Sequence, residues 1–248
     1  MNTIYILWLR QLKKYFRSKS RMIGSLGQPV LFLVALGFGF GPIYQKAGGG
    51  SYIDFLAPGI IAMSVIFTAI FSGIEIIWDR KFGFLKETLV APVSRLEIMM
   101  GRTLGGATVA TLQGIIVFGL AMIIGFRPTS IVLLFPAFLF IFLIALLFTA
   151  LGTAIASVLE DMQGFQLIMN FLVMPLFFLS GALFPLANLP TGIKIISYAD
   201  PLSYGVDGLR GTLVNSSHFG LGLDFLVLGV LTALLLGLGS YLFSRIEA

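Results

Sequence analysis

Long apolar runs alternate with short polar segments along the chain, and six of these runs are long enough to cross a membrane. A spanning helix needs about 20 mainly apolar residues in a row. Because little chain is left outside the six runs, residues 1–248 are predicted to form a single all-α integral membrane domain with six transmembrane helices. The predicted spans are residues 22–44, 55–78, 103–126, 131–158, 165–184 and 221–243.

The composition excludes a water-soluble globular protein. Hydrophobic residues make up 58% of the chain and charged residues only 11%, whereas soluble domains carry about 25% charged residues. The chain has no cysteine, which excludes disulfides and thiolate metal sites.

Residues 1–21, which precede the first span, have the pattern of an amphipathic helix that lies in the membrane interface. Lysines and arginines fill much of one face, and the opposite apolar stripe includes aromatic residues, as in helices that lie on a bilayer surface. An ordinary basic flank of the first span would explain the charges but not the aromatic residues. The stripe consists of Ile4, Leu7, Trp8, Leu12, Tyr15 and Phe16.

The basic residues fall mainly on one side of the predicted spans. An even number of spans places both termini on the same side, and the positive-inside rule makes that side cytoplasmic. We therefore expect a multi-pass protein of the prokaryotic cell (plasma or inner) membrane, with both termini in the cytoplasm. This asymmetry explains the net charge of +5, so nucleic acid is not an expected partner. Twelve of the 16 Lys and Arg residues lie on the cytoplasmic side: Arg10, Lys13, Lys14, Arg17, Lys19, Arg21, Arg80, Lys81, Lys86, Arg95, Arg102 and Arg245.

The loop at residues 80–94, between the second and third spans, contains the pattern of a short helix. Phe82, Leu85 and Leu89 follow the i, i+3, i+7 spacing of one helix face. Pro92 disfavours the α-helical conformation at the residue before it, so the short helix is expected to end there.

A new helix is predicted directly after this corner. Ser94 and Glu97 have the Ser-x-x-Glu spacing of a capping box, which starts a helix that continues into the third span. The loop is therefore a short helix, a corner and a fresh helix at the membrane surface. An apolar face on such a loop indicates a partner protein that covers it.

Residues 188–214, before the last span, are predicted to form two short outer helices that dip into the membrane. The segment is too apolar for an exposed loop and too rich in proline and glycine for one straight helix. Asn188 marks one predicted helix start. Asp200 followed by Pro201 has the N-cap and first-turn chemistry of a second.

Few polar side chains are expected at membrane depth. Gln113 in the third span and Asn170 in the fifth are candidates for lining a passage, and hydrogen bonding between helices is an equal alternative. Glu75, near the end of the second span, is interpreted as an interfacial charge. In the second outer helix, Asp207 and Arg210 have a spacing that allows an ion pair.

The sequence contains no pattern of catalytic or metal-ligating residues. The one histidine, His218, has no second histidine, cysteine or pair of carboxylates to accompany it, so no catalytic residue, metal site or cofactor is expected on this chain. No Walker A sequence occurs. Any ATP hydrolysis that drives this protein therefore belongs to another chain.

Four segments together resemble the membrane subunit of type-2 ATP-binding-cassette (ABC) exporters, the family of drug-export permeases such as the daunorubicin exporter and of polysaccharide-export permeases. The resemblance covers nearly the whole chain, and the second and fourth segments are specific in this order and spacing. The segments are Asp-Phe-Leu-Ala-Pro-Gly at 54–59, Phe-Gly-Phe-Leu-Lys-Glu-Thr-Leu-Val-Ala-Pro-Val-Ser-Arg at 82–95, Pro-Leu-Phe-Phe-Leu-Ser-Gly at 175–181 and Asp-Pro-Leu-Ser-Tyr-Gly-Val-Asp-Gly-Leu-Arg at 200–210.

The resemblance implies a coupling helix between spans two and three and a re-entrant helix pair before span six. It also implies two permease copies, two separate ATPase subunits that bind ATP and Mg, and export by alternating access. The residues expected to contact the ATPase are Phe82, Phe84, Leu85, Glu87, Leu89 and Pro92. The residues expected at an outer gate are Asn188, Asp200, Pro201, Tyr204, Asp207 and Arg210.

The expected substrate is a hydrophobic or amphiphilic compound, drug-like or lipid-like. The chain has 24 Phe and few polar groups within its spans, which suits an apolar cavity with a few orienting amides. A lipid-linked polysaccharide remains an alternative substrate, and a non-transporting membrane scaffold is a less favoured alternative function. A membrane-embedded enzyme would need convergent titratable groups, which the spans lack.

Overall fold

The computed structural model describes residues 2–47, 50–84, 93–186 and 190–244, and the elements within these residues are all α-helices. In chain order they are α1 (Asn2–Arg17), α2 (Lys19–Lys46), α3 (Tyr52–Ser72), α4 (Ile74–Lys81), α5 (Arg95–Ile124), α6 (Leu134–Val158), α7 (Met162–Leu179), α8 (Thr191–Ala199), α9 (Pro201–Val214) and α10 (Leu221–Ser244).

The six predicted spans are confirmed as helices long and apolar enough to cross a membrane. Span 1 is α2, span 2 is α3 with α4, span 3 is α5, span 4 is α6, span 5 is α7 and span 6 is α10. Some predicted ends were wrong: α1 ends at Arg17 rather than at residue 21, and α6 begins at Leu134 rather than at residue 131. Span 5 ends at Leu179 rather than at residue 184, because the chain turns at Gly181, whose φ of +76 suits glycine.

Span 2 occupies the centre of the bundle. Helix α3 packs against α2, α5, α6 and α9, and its residues from Leu56 to Ile66 are all buried. Spans 2 and 4 approach closely where Gly73 faces Gly152, since a Cβ on Gly73 would overlap the backbone of Gly152. Such small residues let helices pack tightly in lipid, where burial of apolar side chains gives no driving force.

Spans 1, 5 and 6 lie at the periphery. Within their most apolar windows only 17%, 22% and 17% of residues are buried, against 72% in span 2. The exposed faces of these three spans therefore meet either lipid or another chain.

Candidate functional site

The end of span 2 carries two exposed phenylalanines at the predicted coupling site. Phe82 is the C-cap of α4, and its side chain is 59% exposed. Gly83 has a φ of +80 and separates Phe82 from Phe84, which is 52% exposed. The prediction that Phe82 belongs to the short loop helix was therefore wrong, because Phe82 is the C-cap of α4, which ends at Lys81. The other predicted coupling residues, Leu85, Glu87, Leu89 and Pro92, lie outside the described residues.

Arg80 fixes the chain just before residues 85–92. Its guanidinium donates hydrogen bonds to the carbonyl of Ser157 at 2.9 Å and to that of Leu159 at 3.3 Å. These carbonyls lie at the end of α6, where a helix leaves backbone acceptors unpaired. The loop is thus attached to span 4 as well as to span 2.

A capping box fixes the chain just after the same segment, as predicted. The Ser94 hydroxyl accepts from the Glu97 N–H at 3.2 Å, and the Glu97 carboxylate accepts from the Ser94 N–H at 3.2 Å. Helix α5 therefore begins rigidly at Arg95.

Ion pairs join α1 to spans 2 and 3 near this loop. Asp79 accepts from Arg102 at 2.6 Å and from Arg10 at 3.2 Å. Lys14 pairs with Glu75 at 3.2 Å. Glu75, interpreted from the sequence as an interfacial charge, is only 9% exposed and has an ion-pair partner on α1.

Gln113 lies inside the bundle and bonds to α1. The Tyr15 hydroxyl donates to Gln113 Oε1 at 2.7 Å, and Gln113 is fully buried. Trp8 Nε1 donates to the Thr108 hydroxyl at 3.0 Å. Hydrogen bonding between helices is therefore the observed role of Gln113, and part of the apolar stripe of α1 faces span 3.

Asn170 is exposed on span 5 and does not share a site with Gln113. Gln163 and Gln166 are also exposed, and the spacing i, i+3, i+7 places the three amides on one face of α7. We call Gln163, Gln166 and Asn170 the amide stripe. Sequence reasoning missed the first two because they fall at the edge of the predicted span, although their spacing was a usable signal.

The predicted start of the second outer helix is confirmed. Asp200 Oδ1 accepts from the Leu202 N–H at 2.8 Å, and Pro201 is the first residue of α9. Asp200 is 4% exposed, and burial raises its pKa to about 7, against the opposing effect of the Leu202 hydrogen bond. The first outer helix begins at Thr191, and Asn188 lies outside the described residues.

Arg210 ties the outer helices to spans 2 and 5. Its guanidinium donates to the carbonyls of Phe55 at 3.3 Å and Gly181 at 3.1 Å, and lies 4.0 Å from the centre of the Phe55 ring. Burial lowers the pKa of Arg210 to about 10, against the favourable charge of Asp207. The side chain therefore stays cationic at neutral pH.

Asp207 holds the loop that leads into span 6. Its carboxylate accepts from the Ser217 hydroxyl at 3.1 Å and from the N–H groups of His218 and Phe219, each at 2.8 Å. The predicted ion pair between Asp207 and Arg210 was therefore wrong, because each side chain has other hydrogen-bond partners.

Aromatic residues of α8, α9 and the loop after α9 pack against one another. The Tyr204 hydroxyl donates to the carbonyl of Tyr198 at 2.8 Å, and the Tyr204 ring stacks on Phe219 at 4.7 Å. The Tyr198 hydroxyl lies 3.1 Å from His218 Nε2. The predicted gate residues from position 200 onward thus belong to one packed unit.

Residues 2–214 match the family model for ABC-2 type transporters. The chain belongs to the ABC-2 type transporter family. Nodulation protein J of Rhizobium leguminosarum bv. viciae is 30% identical over 78% of this chain and 74% of its own length. A ycf38 protein of Cyanophora paradoxa, named as a transport permease, is 28% identical over 86% of this chain and 75% of its own length.

Membership of this family indicates the role of the chain. The chain is a multi-pass membrane permease of an ABC transporter, and family membership implies association with an ABC ATPase subunit. The permease is a transport subunit and is not itself the ATPase. The resemblance drawn from four sequence segments is therefore confirmed.

Proposed function

We propose that this permease exports a hydrophobic or amphiphilic compound, drug-like or lipid-like, as a homodimer driven by a separate ABC ATPase that binds ATP and Mg. Both termini and the 80–94 loop face the cytoplasm of a prokaryotic cell. The observation that carries the export function is the exposed amide stripe on span 5, in a chain whose family moves solutes across membranes.

The amide stripe supports a passage between two copies of the chain. Amides at membrane depth are costly against lipid and face protein or a water-filled cavity. Asn170, midway along span 5, is exposed and has neither within one subunit, and Gln163 and Gln166 continue its face toward the start of the span. A two-fold dimer, the commonest symmetric assembly, would place two such stripes opposite each other.

The 80–94 loop is the proposed contact with the ATPase. Phe82 and Phe84 are both more than half exposed, and large apolar side chains on a loop favour a protein groove that covers them. The anchors at Arg80 and Ser94 on either side would transmit movement of the ATPase to spans 2, 3 and 4.

The packed unit around Asp200, Tyr204, Asp207 and Arg210 is the proposed outer gate. Arg210 bonds to the carbonyl of Phe55 in span 2 and to that of Gly181 just after span 5, so movement of those spans would displace α9. We expect Arg210→Met to lower export while leaving ATPase association intact, as measured by vesicle transport and co-purification. Unchanged export would exclude a gating role.

The exposed side chains of spans 1 and 5 support the proposed substrate class. Spans 1 and 5 expose apolar side chains such as Leu31, Phe38, Leu167 and Phe171, which suit an apolar or amphiphilic solute. The amide stripe is the observation that favours the alternative, a lipid-linked polysaccharide, because amides hydrogen-bond to sugar hydroxyls.

Reconstitution with an ATPase tests this function. The permease and an ABC ATPase that co-purifies with it are placed in vesicles, separately and together, with a fluorescent lipophilic cation or a labelled undecaprenyl-linked glycan. We expect transmembrane transport of the cation, dependent on ATP and on both chains. Transport of the glycan alone would select the alternative substrate, and a stable complex that moves neither would indicate a scaffold.

A further inference from the structure

A cavity of about 220 Å³ lies between α1 and spans 1, 2 and 3. It is distinct from the amide stripe, which lies on span 5. Polar side chains from α1 and from spans 1 and 2 line it, including Gln11, Gln28, Ser64, Ser72 and Glu75. The lining also includes apolar side chains, and polar groups in such surroundings are costly unless they have hydrogen-bond partners.

Three lining side chains present hydrogen-bond acceptors to the cavity. Ser64 and Ser72 donate their own protons to the carbonyls of Ile61 at 2.8 Å and Ala69 at 2.6 Å. Each hydroxyl oxygen therefore keeps lone pairs for a ligand. The carboxylate of Glu75 is paired with Lys14 at 3.2 Å, so this pair adds acceptors without adding net charge.

Hydrogen-bond donors reach the same cavity from two amides. Gln11 of α1 and Gln28 of span 1 both line it, and each amide carries two N–H donors. Gln113 of span 3 lies behind this lining, where its Oε1 accepts from Tyr15.

The walls and the volume of the cavity restrict the size and polarity of a ligand that fits. Met63, Phe67 and Phe71 add apolar walls, while Gln28 on span 1 is exposed and marks the open side. The volume equals that of about seven water molecules in the liquid, enough for one small head group. The ligand thus has a compact head and an apolar tail that leaves past span 1.

We propose that this cavity binds the uncharged, hydroxyl-bearing head group of an amphiphile. A hydroxyl both donates to Ser64, Ser72 and Glu75 and accepts from the amides of Gln11 and Gln28, whereas an anionic head would lie beside the Glu75 carboxylate. A cationic head would compete with Lys14 for Glu75. Binding itself requires only the folded permease, and a role as the entry point for export rests on the proposed function.

Photolabelling of the purified permease in lipid nanodiscs tests the site. The probe is octyl β-glucoside with a diazirine in its alkyl chain, and the labelled peptides are identified by mass spectrometry. We expect labels on α1, span 1 and span 2 around the cavity, displaced by octyl β-glucoside but not by octanoate or octyltrimethylammonium. Labels confined to other surfaces would mean that the cavity holds water only and would overturn the proposal.

Matched substitutions distinguish the cavity from the lipid-facing surface. Ser64→Leu, which fills the cavity, should weaken labelling about tenfold. Thr68→Val, a milder change of a lining residue, should weaken it about fivefold through one lost hydrogen bond. Thr111→Val is the control, since Thr111 bonds to Ala107 of its own helix outside the cavity. Equal labelling of Thr68→Val and Thr111→Val would overturn the site.

This assay contains no ATPase, so its outcome is independent of the exporter assignment. Binding without ATP-driven transport would leave the site standing and the proposed function refuted. Transport in a variant that no longer binds the glucoside would leave the exporter standing and remove this cavity from its path.

Discussion

At the scale of single residues, the charges of this protein act mainly through partners on other helices. Asp79 is shared by a buried arginine, Arg102, and by Arg10, whose side chain is 45% exposed. A buried pair broken on one side leaves an uncompensated charge, whereas an exposed pair is screened by solvent. The Asp79 carboxylate therefore interacts strongly with Arg102 and weakly with Arg10.

Removal of Asp79 is expected to be far more costly than removal of Arg10. Asp79→Ala leaves Arg102 buried without its partner and should lower the free energy of unfolding by about 3–5 kcal/mol. Arg10→Ala should cost about 0–1 kcal/mol. Denaturant titration of both variants in the same micelles gives the comparison. Similar losses in the two variants would show that Arg102 is not held by Asp79.

The pH dependence of stability should report on Asp200. Burial raises its pKa to about 7 in the folded protein, from an ordinary value of 3.8. Between these two values the folded state keeps a proton that the unfolded state has released, so stability falls as the pH rises through this window. Above pH 7 no further loss from this group is expected.

Asp200→Asn should remove this slope while keeping the helix cap, because asparagine is an equally good N-cap residue. Thermal unfolding between pH 4 and pH 8 measures the slope. The control is Asp161→Asn, the same substitution at the exposed N-cap of span 5. A wild-type slope in Asp200→Asn would place the titration elsewhere.

At the scale of elements, two helix ends flank residues 85–92. Helix α4 ends at Lys81, and Arg80 bonds there to the end of span 4. The capping box at Ser94 starts α5 on the other side. We therefore expect a partner that binds residues 85–92 to act on spans 2, 3 and 4.

Leu85→Asp and Leu89→Asp should each abolish co-purification with the ATPase, because a carboxylate in an apolar groove is strongly unfavourable. Membrane insertion should remain normal, since neither residue lies in a span. The control is Val132→Asp, the same kind of change at a residue 83% exposed in the loop before span 4. ATPase recovery at the wild-type level in both leucine variants would refute the coupling assignment.

At the scale of the whole molecule, one subunit buries span 2 and leaves spans 1, 5 and 6 largely exposed. The three peripheral spans differ in chemistry. Span 5 exposes Gln163, Gln166 and Asn170, whereas the exposed residues of span 6 include Leu226, Val230 and Leu234. We therefore expect lipid against span 6 and a second subunit against span 5.

Cross-linking in membranes should distinguish these two faces. The chain has no cysteine, so Asn170→Cys introduces a single thiol. Oxidation should give a disulfide-linked dimer with Asn170→Cys, seen as doubled mass on a non-reducing gel. Leu234→Cys, at a residue 64% exposed on span 6, should stay monomeric. A dimer band only with Leu234→Cys would place the subunit interface on span 6 instead of span 5.

The sequence by itself determined the six spans, the helical start at Ser94 and the cap at Asp200. Each depends on residues within about one helical turn or on the length of one apolar run, so no distant contact is needed. Only the tertiary structure decided the partners of Glu75, Gln113 and Arg210. These spans are apolar on nearly every side, so their periodicity does not tell which face turns inward. The bond between Tyr15 and Gln113, 98 residues apart, exists only because α1 packs along span 3.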